Sequence, residues 1–158
     1  MIMINSKVFG ELSYDVYWQR DYSIDFLKKE RKVILAIDGD NDMDFEESQY
    51  RAFEELEANK DTIVKKVEDQ LFKHYLSECD ENRAKFGSDA SCLSPVIYEK
   101  ENLEDLVNLK QVIIMESFDE NSREIGFVFD AKWNPELGVG VKVVNGEVEL
   151  VGTQDIVL

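Results

Sequence analysis

Four aspartates stand at alternate positions in Asp38-Gly39-Asp40-Asn41-Asp42-Met43-Asp44, and Glu46 and Glu47 follow directly. Alternating oxygens at this spacing can converge on one cation, as in a calcium loop. Two residues oppose the cage. The sixth position, which needs glycine for its sharp turn, is Met43, and the twelfth, which should supply a bidentate glutamate, is Gln49. The chemistry left to the segment is charge. Residues 38–57 hold nine acids and Arg51 as their only base, a local net of −8. Such a loop can meet a cationic partner without any cage geometry. Asp40, Asp42, Asp44, Glu46 and Glu47 are therefore the expected partner-binding patch.

Other reactive residues are sparse. His74 is the only histidine, and the two cysteines are Cys79 and Cys92. A Cys–His nucleophile pair needs the base beside the thiol. His74 and Cys79 instead fall on different faces of one helix. One histidine and two cysteines are also too few for a structural zinc site. Carboxylate catalysis through Asp38, Glu136 and Asp155 is the alternative enzymatic reading, and a calcium module is another. No phosphate-binding glycine loop and no nucleophile elbow occurs. No catalytic residue, no metal ligand and no cofactor is assigned.

The segment Trp133-Asn134-Pro135-Glu136-Leu137-Gly138-Val139-Gly140-Val141 calls for a defined loop ahead of a strand. Trp133 either plugs the end of the sheet or serves as an aromatic anchor for a partner. It joins the partner-binding candidates on the second reading.

The elements that must position these groups follow from periodicity. Val16–Phe26 alternates, with Val16, Trp18, Arg20, Tyr22, Ile24 and Phe26 on one side, and Val33–Ile37 is a second strand. A short strand around Val8–Leu12 precedes them, and the polar run 28–31 makes the turn between the two longer strands. Asp44 caps a helix with Glu47 as its capping-box partner. Phe45, Gln49, Ala52, Phe53 and Leu56 then share one side of that helix. Ile63, Val64, Val67, Leu71, Phe72 and Tyr75 define a second amphipathic helix. Residues 81–94 read as a loop, 103–109 as a brief helix, and 111–118 and 124–131 as strands. Asn145-Gly146 marks a type I′ hairpin that sets Val144 opposite Glu147, Val143 opposite Val148 and Val141 opposite Leu150. The fold class is α+β: an antiparallel sheet of N- and C-terminal meanders, with two to three helices packed on one face. Residues 1–158 form one domain.

The chain carries 34 acidic and 18 basic residues, a formal net charge of −16. Phosphate-backbone binding requires clustered cations, and an anionic membrane surface repels this charge. Nucleic acid and membrane are thus excluded as partners, and a basic protein is favoured. The first ten residues lack a secretory signal, no apolar run approaches the ~20 residues of a membrane span, and two cysteines make no disulfide framework. The expected location is the cytoplasm.

Trp133, Pro135, Glu136, Gly138, Gly140 and Val141, followed by Gly152, Gln154 and Asp155, form a W-x-P-E-x-G-x-G-V…G-x-Q-D arrangement. With Phe9-Gly10, Asp38-Gly39-Asp40 and Gln49, it resembles a family of bacterial domains of unknown function. That family looks like the small acidic immunity proteins encoded beside polymorphic or contact-dependent toxins. The resemblance implies an inhibitor that neutralises a cognate toxin, with a basic nuclease domain as the expected partner. The family pattern has Asp where Asn134 stands and His where Leu137 stands. Metal or acid–base chemistry at those positions is therefore not carried over, and the loop is left with a scaffold or interaction role.

Overall fold

The computed structural model describes residues 2–39 and 45–158. Its order is β1 (Ile2–Ser6), β2 (Gly10–Tyr14), β3 (Trp18–Phe26), β4 (Lys29–Ile37), α1 (Glu47–Ala58), α2 (Lys60–Phe86) and α3 (Ala90–Leu93). There follow β5 (Val107–Met115), β6 (Glu124–Ala131), β7 (Val139–Val144) and β8 (Glu147–Gly152). All eight strands make one sheet in sequence order. Strands β1–β4 and β5–β8 are two antiparallel meanders. The seam between them is parallel, with Ile34–Ile37 of β4 against Gln111–Ile114 of β5. A parallel pair needs a long crossover, and α1, α2 and α3 supply it. The fold is α+β, as the alternating and helical periods imply. The parallel seam was not foreseen.

One face of the sheet carries the main core. Trp18, Tyr22, Ile24 and Phe26 of β3 alternate with polar residues and meet Phe53 and Leu56 of α1 and Val67, Leu71 and Tyr75 of α2 in a single buried cluster. Arg20 shares this face, and its guanidinium lies over the rings of Tyr22 and Phe53 at 5.4 and 5.8 Å. The opposite face has a smaller cluster of Ala36, Ile113, Val128 and Val157. Val157 lies so close over the sheet that a Cβ at Gly126 would stand 2.7 Å from its own Cβ. The C-terminal residues thus lie across the back of the sheet. No described helix is long and apolar enough to cross a membrane.

Several expected boundaries move. Residues 2–6 form an edge strand that was not foreseen, and the second strand runs 10–14 instead of 8–12. The turn after β3 is at Leu27-Lys28, both with positive φ (51° and 65°), and residues 29–31 belong to β4. A two-residue hairpin requires that backbone. Leu27 tolerates it because its N–H donates to Glu68 Oε2 of α2 at 2.6 Å. Helix α2 continues to Phe86 through residues read as loop. Glu81, Arg83, Ala84 and Lys85 are strong helix formers even without an apolar stripe. Residues 100–105 make a 3₁₀ turn, and β5 begins at Val107, where a helix over 103–109 was expected. The hairpin turn is as expected, with φ of 53° at Asn145 and 82° at Gly146, and Val144 pairs Glu147 and Val143 pairs Val148. A bulge then shifts the register, so that Val141 faces Val151 and Lys142 faces Leu150. The bulge keeps Val151 packed against the core and leaves Leu150 exposed.

Candidate functional site

Because β4 and β5 are parallel, both end at the same border of the sheet, and their following residues meet there. Asp38 donates its N–H to Ile114 O at 3.0 Å. Its Oδ2 accepts from the N–H of Glu116 at 3.3 Å. Helix α1 starts above this junction with Glu46 at its N-cap, where Asp44 was expected with Glu47 as partner. The Glu46 N–H donates to Gln49 Oε1 at 2.8 Å, the capping-box bond displaced by two residues. Glu46 Oε1 in turn accepts from Ser117 N–H at 3.0 Å.

Gln49, the polar interruption in the apolar stripe of α1, is 1% exposed. Its Nε2 donates to Asp38 O at 2.7 Å and to Ile114 O at 3.4 Å. One carboxamide therefore ties the helix N-terminus to the ends of both parallel strands. A buried amide is stable only with its bonds made, and this one has them on both ends.

The loop after β5 is held by Ser117. Its hydroxyl donates to Asp119 O at 2.8 Å and receives the Asp119 N–H at 3.1 Å. Phe118 is thereby turned fully into solvent. Around it stand Glu116, Asp119 and Glu120, all exposed, with exposed Glu46 across the junction. Residues 38–39, 45–47 and 116–121 contain no Lys or Arg. The arrangement is an exposed ring among carboxylates, a surface suited to contact with a cationic protein.

Of the expected partner residues, Glu46 lies on this surface, whereas Glu47 faces the β1–β2 turn and pairs loosely with Arg51 at 3.5 Å. Asp40, Asp42 and Asp44 lie outside the described residues, as does most of the calcium-like spacing. Trp133 is not a surface anchor. It is 5% exposed and packs edge-on against Tyr75, with ring centroids 4.9 Å apart. Glu116, Phe118, Asp119 and Glu120 were missed because the segment reads as a strand end and a polar turn. The signal available was an aromatic set within four acids and polar residues, Glu116-Ser117-Phe118-Asp119-Glu120.

The carboxylates of the enzymatic alternative do not converge. Asp38 sits beside Ile114 and Glu116, whereas Glu136 and Asp155 belong to loops joined near Phe129 by the Gln154 N–H to Leu137 O bond of 3.0 Å. Phe129 pairs with Leu109, so seven residues of β5, roughly 20 Å, separate the two places. No group of three or more His, Cys, Asp or Glu among the described residues could hold a metal ion. His74 Nε2 is 3.4 Å from Glu78 Oε1, and Cys79 is buried with its Sγ directed at Pro95 O.

Burial raises the Asp38 carboxyl above the usual aspartate range. The Glu116 N–H opposes that shift and the Glu116 charge adds to it. The folded state therefore holds the proton more tightly than the unfolded chain. Ionising Asp38 costs stability above its folded pKa, and the cost fades as pH falls below its unfolded pKa. Asp38→Asn keeps an acceptor for Glu116 N–H and should be more stable than the wild type near neutral pH. Its advantage should vanish as pH falls through the carboxylate range, in urea titrations compared across pH. An advantage independent of pH would contradict this account.

Comparison with curated proteins and with solved structures finds no match. The model for a family described as Domain of unknown function (DUF6985) matches residues 8–158, and the chain belongs to that family.

Proposed function

We propose that the chain is a non-catalytic acidic binding protein: an immunity protein that neutralises a bacterial toxin domain of nuclease type. The supporting observation is the border of the sheet, where exposed Phe118 stands among Glu116, Asp119, Glu120 and Glu46, with no Lys or Arg in residues 38–39, 45–47 and 116–121. A nuclease presents cations to hold phosphates, and a carboxylate surface can occupy them in place of the nucleic acid. A central aromatic surrounded by charge is the arrangement in which one side chain dominates dissociation while the charges speed encounter.

The test is association with the toxin domain encoded in the adjacent reading frame. Its on-rate should fall by roughly ten- to a hundredfold between low and high salt. Phe118→Ala should raise the off-rate by at least about tenfold while leaving thermal stability unchanged, because the ring buries nothing in the folded chain. Absence of a complex, or an on-rate indifferent to salt, would refute the proposal.

A further inference from the structure

One residue beyond Glu46, the other side of α1 borders a groove of about 510 Å³ that runs between this helix and the β1–β2 turn. Its apolar part is built by Phe45, Tyr50 and Val8. Phe45 and Tyr50 both pack on the buried ring of Phe9, edge-on at 5.3 Å and stacked at 5.2 Å, so their positions are set by the core. The groove continues past Val8 and Glu54 towards Glu57. Glu47, Tyr50, Glu54 and Glu57 are spaced by three, four and three residues, which places them on one face of α1. Glu47 meets Arg51 only at 3.5 Å, and Glu54 is exposed with no ion pair among the described residues. Lys7 is the one base on the walls.

We infer that this groove receives an arginine or lysine side chain from an extended segment of the partner. The stem lies on Phe45 and Tyr50, and the cationic head sits between Glu47 and Glu54. The inference rests on the reading of the chain as a binder of a basic protein, and names where and how one basic residue is held. An acidic segment would meet Glu47 and Glu54 with only Lys7 to offset them, and a neutral polar one would leave both carboxylates unpaired by it. An apolar one would leave Glu47 and Glu54 facing it with only Arg51, at 3.5 Å from Glu47, and Lys7 as counter-charge. A long aliphatic stem with a cationic end uses both halves of the groove, and the Tyr50 ring adds attraction for the charge. Among the described residues nothing closes the groove along its length, which admits a side chain arriving from an extended backbone.

The probe is a Leu-Arg-Leu-Arg-Leu amide with fluorescein coupled to its N-terminal nitrogen, at low ionic strength, with an identically labelled citrulline-for-arginine peptide of the same shape as comparison. The arginine peptide should bind the wild type at least about tenfold more tightly than the citrulline peptide. Glu47→Gln/Glu54→Gln should weaken the arginine peptide about tenfold. Glu101→Gln/Glu136→Gln removes the same charge at exposed positions elsewhere and should change affinity less than about twofold. Lys7→Gln should tighten binding. Equal losses in both double variants would overturn the groove and leave the basic-partner reading intact, since diffuse charge would then carry the attraction. Failure of the wild type to bind the peptide would also overturn the groove, while the basic-partner reading is judged separately by the salt dependence of toxin association.

Discussion

Gly138→Ala is expected to lower stability by about 3 kcal/mol or more and to reduce Tm by roughly 6–12 °C. Gly138 has φ +57°, where a Cβ costs ~1–2 kcal/mol before any contact is counted. The added Cβ would also stand 2.2 Å from Gln154 Nε2 and 2.4 Å from the backbone oxygen of Phe129. Gln154 cannot simply swing aside. Its Nε2 donates to Phe129 O at 2.8 Å, and its N–H donates to Leu137 O at 3.0 Å. These bonds fasten the C-terminal residues to the loop after β6. Displacing them lifts Val157 from Gly126 and uncovers Ala36, Ile113 and Val128 on the back of the sheet. Gly87 provides the control, because its φ is +58° yet nothing lies within 4 Å of its would-be Cβ. Gly87→Ala should therefore cost only the backbone part. A Gly138→Ala loss no larger than ~1–2 kcal/mol, measured by urea unfolding, would show that the C-terminal clasp contributes nothing at Gly138.

Trp133→Ala should cost about 3–5 kcal/mol, a drop of roughly 6–20 °C in Tm, and leave association with the proposed partner by the folded fraction unchanged. The indole fills the end of the core against Tyr75, whose hydroxyl donates to Pro95 O at 2.5 Å. Burial pushes the Tyr75 phenol up to about 12, as expected for a hydroxyl kept neutral inside the protein. Truncating the indole leaves Tyr75 without its ring neighbour and opens a void beside a polar group that cannot relocate. Phe118→Ala should behave in the opposite way, losing affinity and keeping stability. A stable Trp133→Ala protein that failed to bind would reverse these two assignments.

The contrast between these aromatics marks where sequence reading fails. Trp133 stands beside Pro135 and two glycines, a setting equally compatible with a surface anchor and a core plug, and its partner Tyr75 is far away in the chain. Phe118 follows the apolar run Val112–Met115 after Glu116 and Ser117, and reads as the last residue of a strand. Only the Ser117–Asp119 bonds, which turn the chain there, expose it. Gln49 reads as a polar break in the apolar stripe of its helix, but its purpose depends on the carbonyls of Asp38 and Ile114, the latter contributed by β5. The register of the last hairpin could be read as far as the turn, where Asn145-Gly146 dictates the backbone. The bulge beyond it follows from packing of Val151 on the core.

Local chemistry, then, was sufficient for the α+β class, the two meanders, the amphipathic face of α2, the hairpin turn and the acidic character of the surface. Each depends on residues within a few positions of one another, through side-chain period, permitted φ or charge. Assembly alone joined β4 to β5 in parallel, placed Glu46 against Ser117 across 71 positions, buried Trp133 and laid the C-terminus over the back of the sheet. The reason is that apolar burial is non-directional. A pattern states which face of an element turns inward, while the element that covers it is selected by packing and hydrogen-bond satisfaction over the whole molecule.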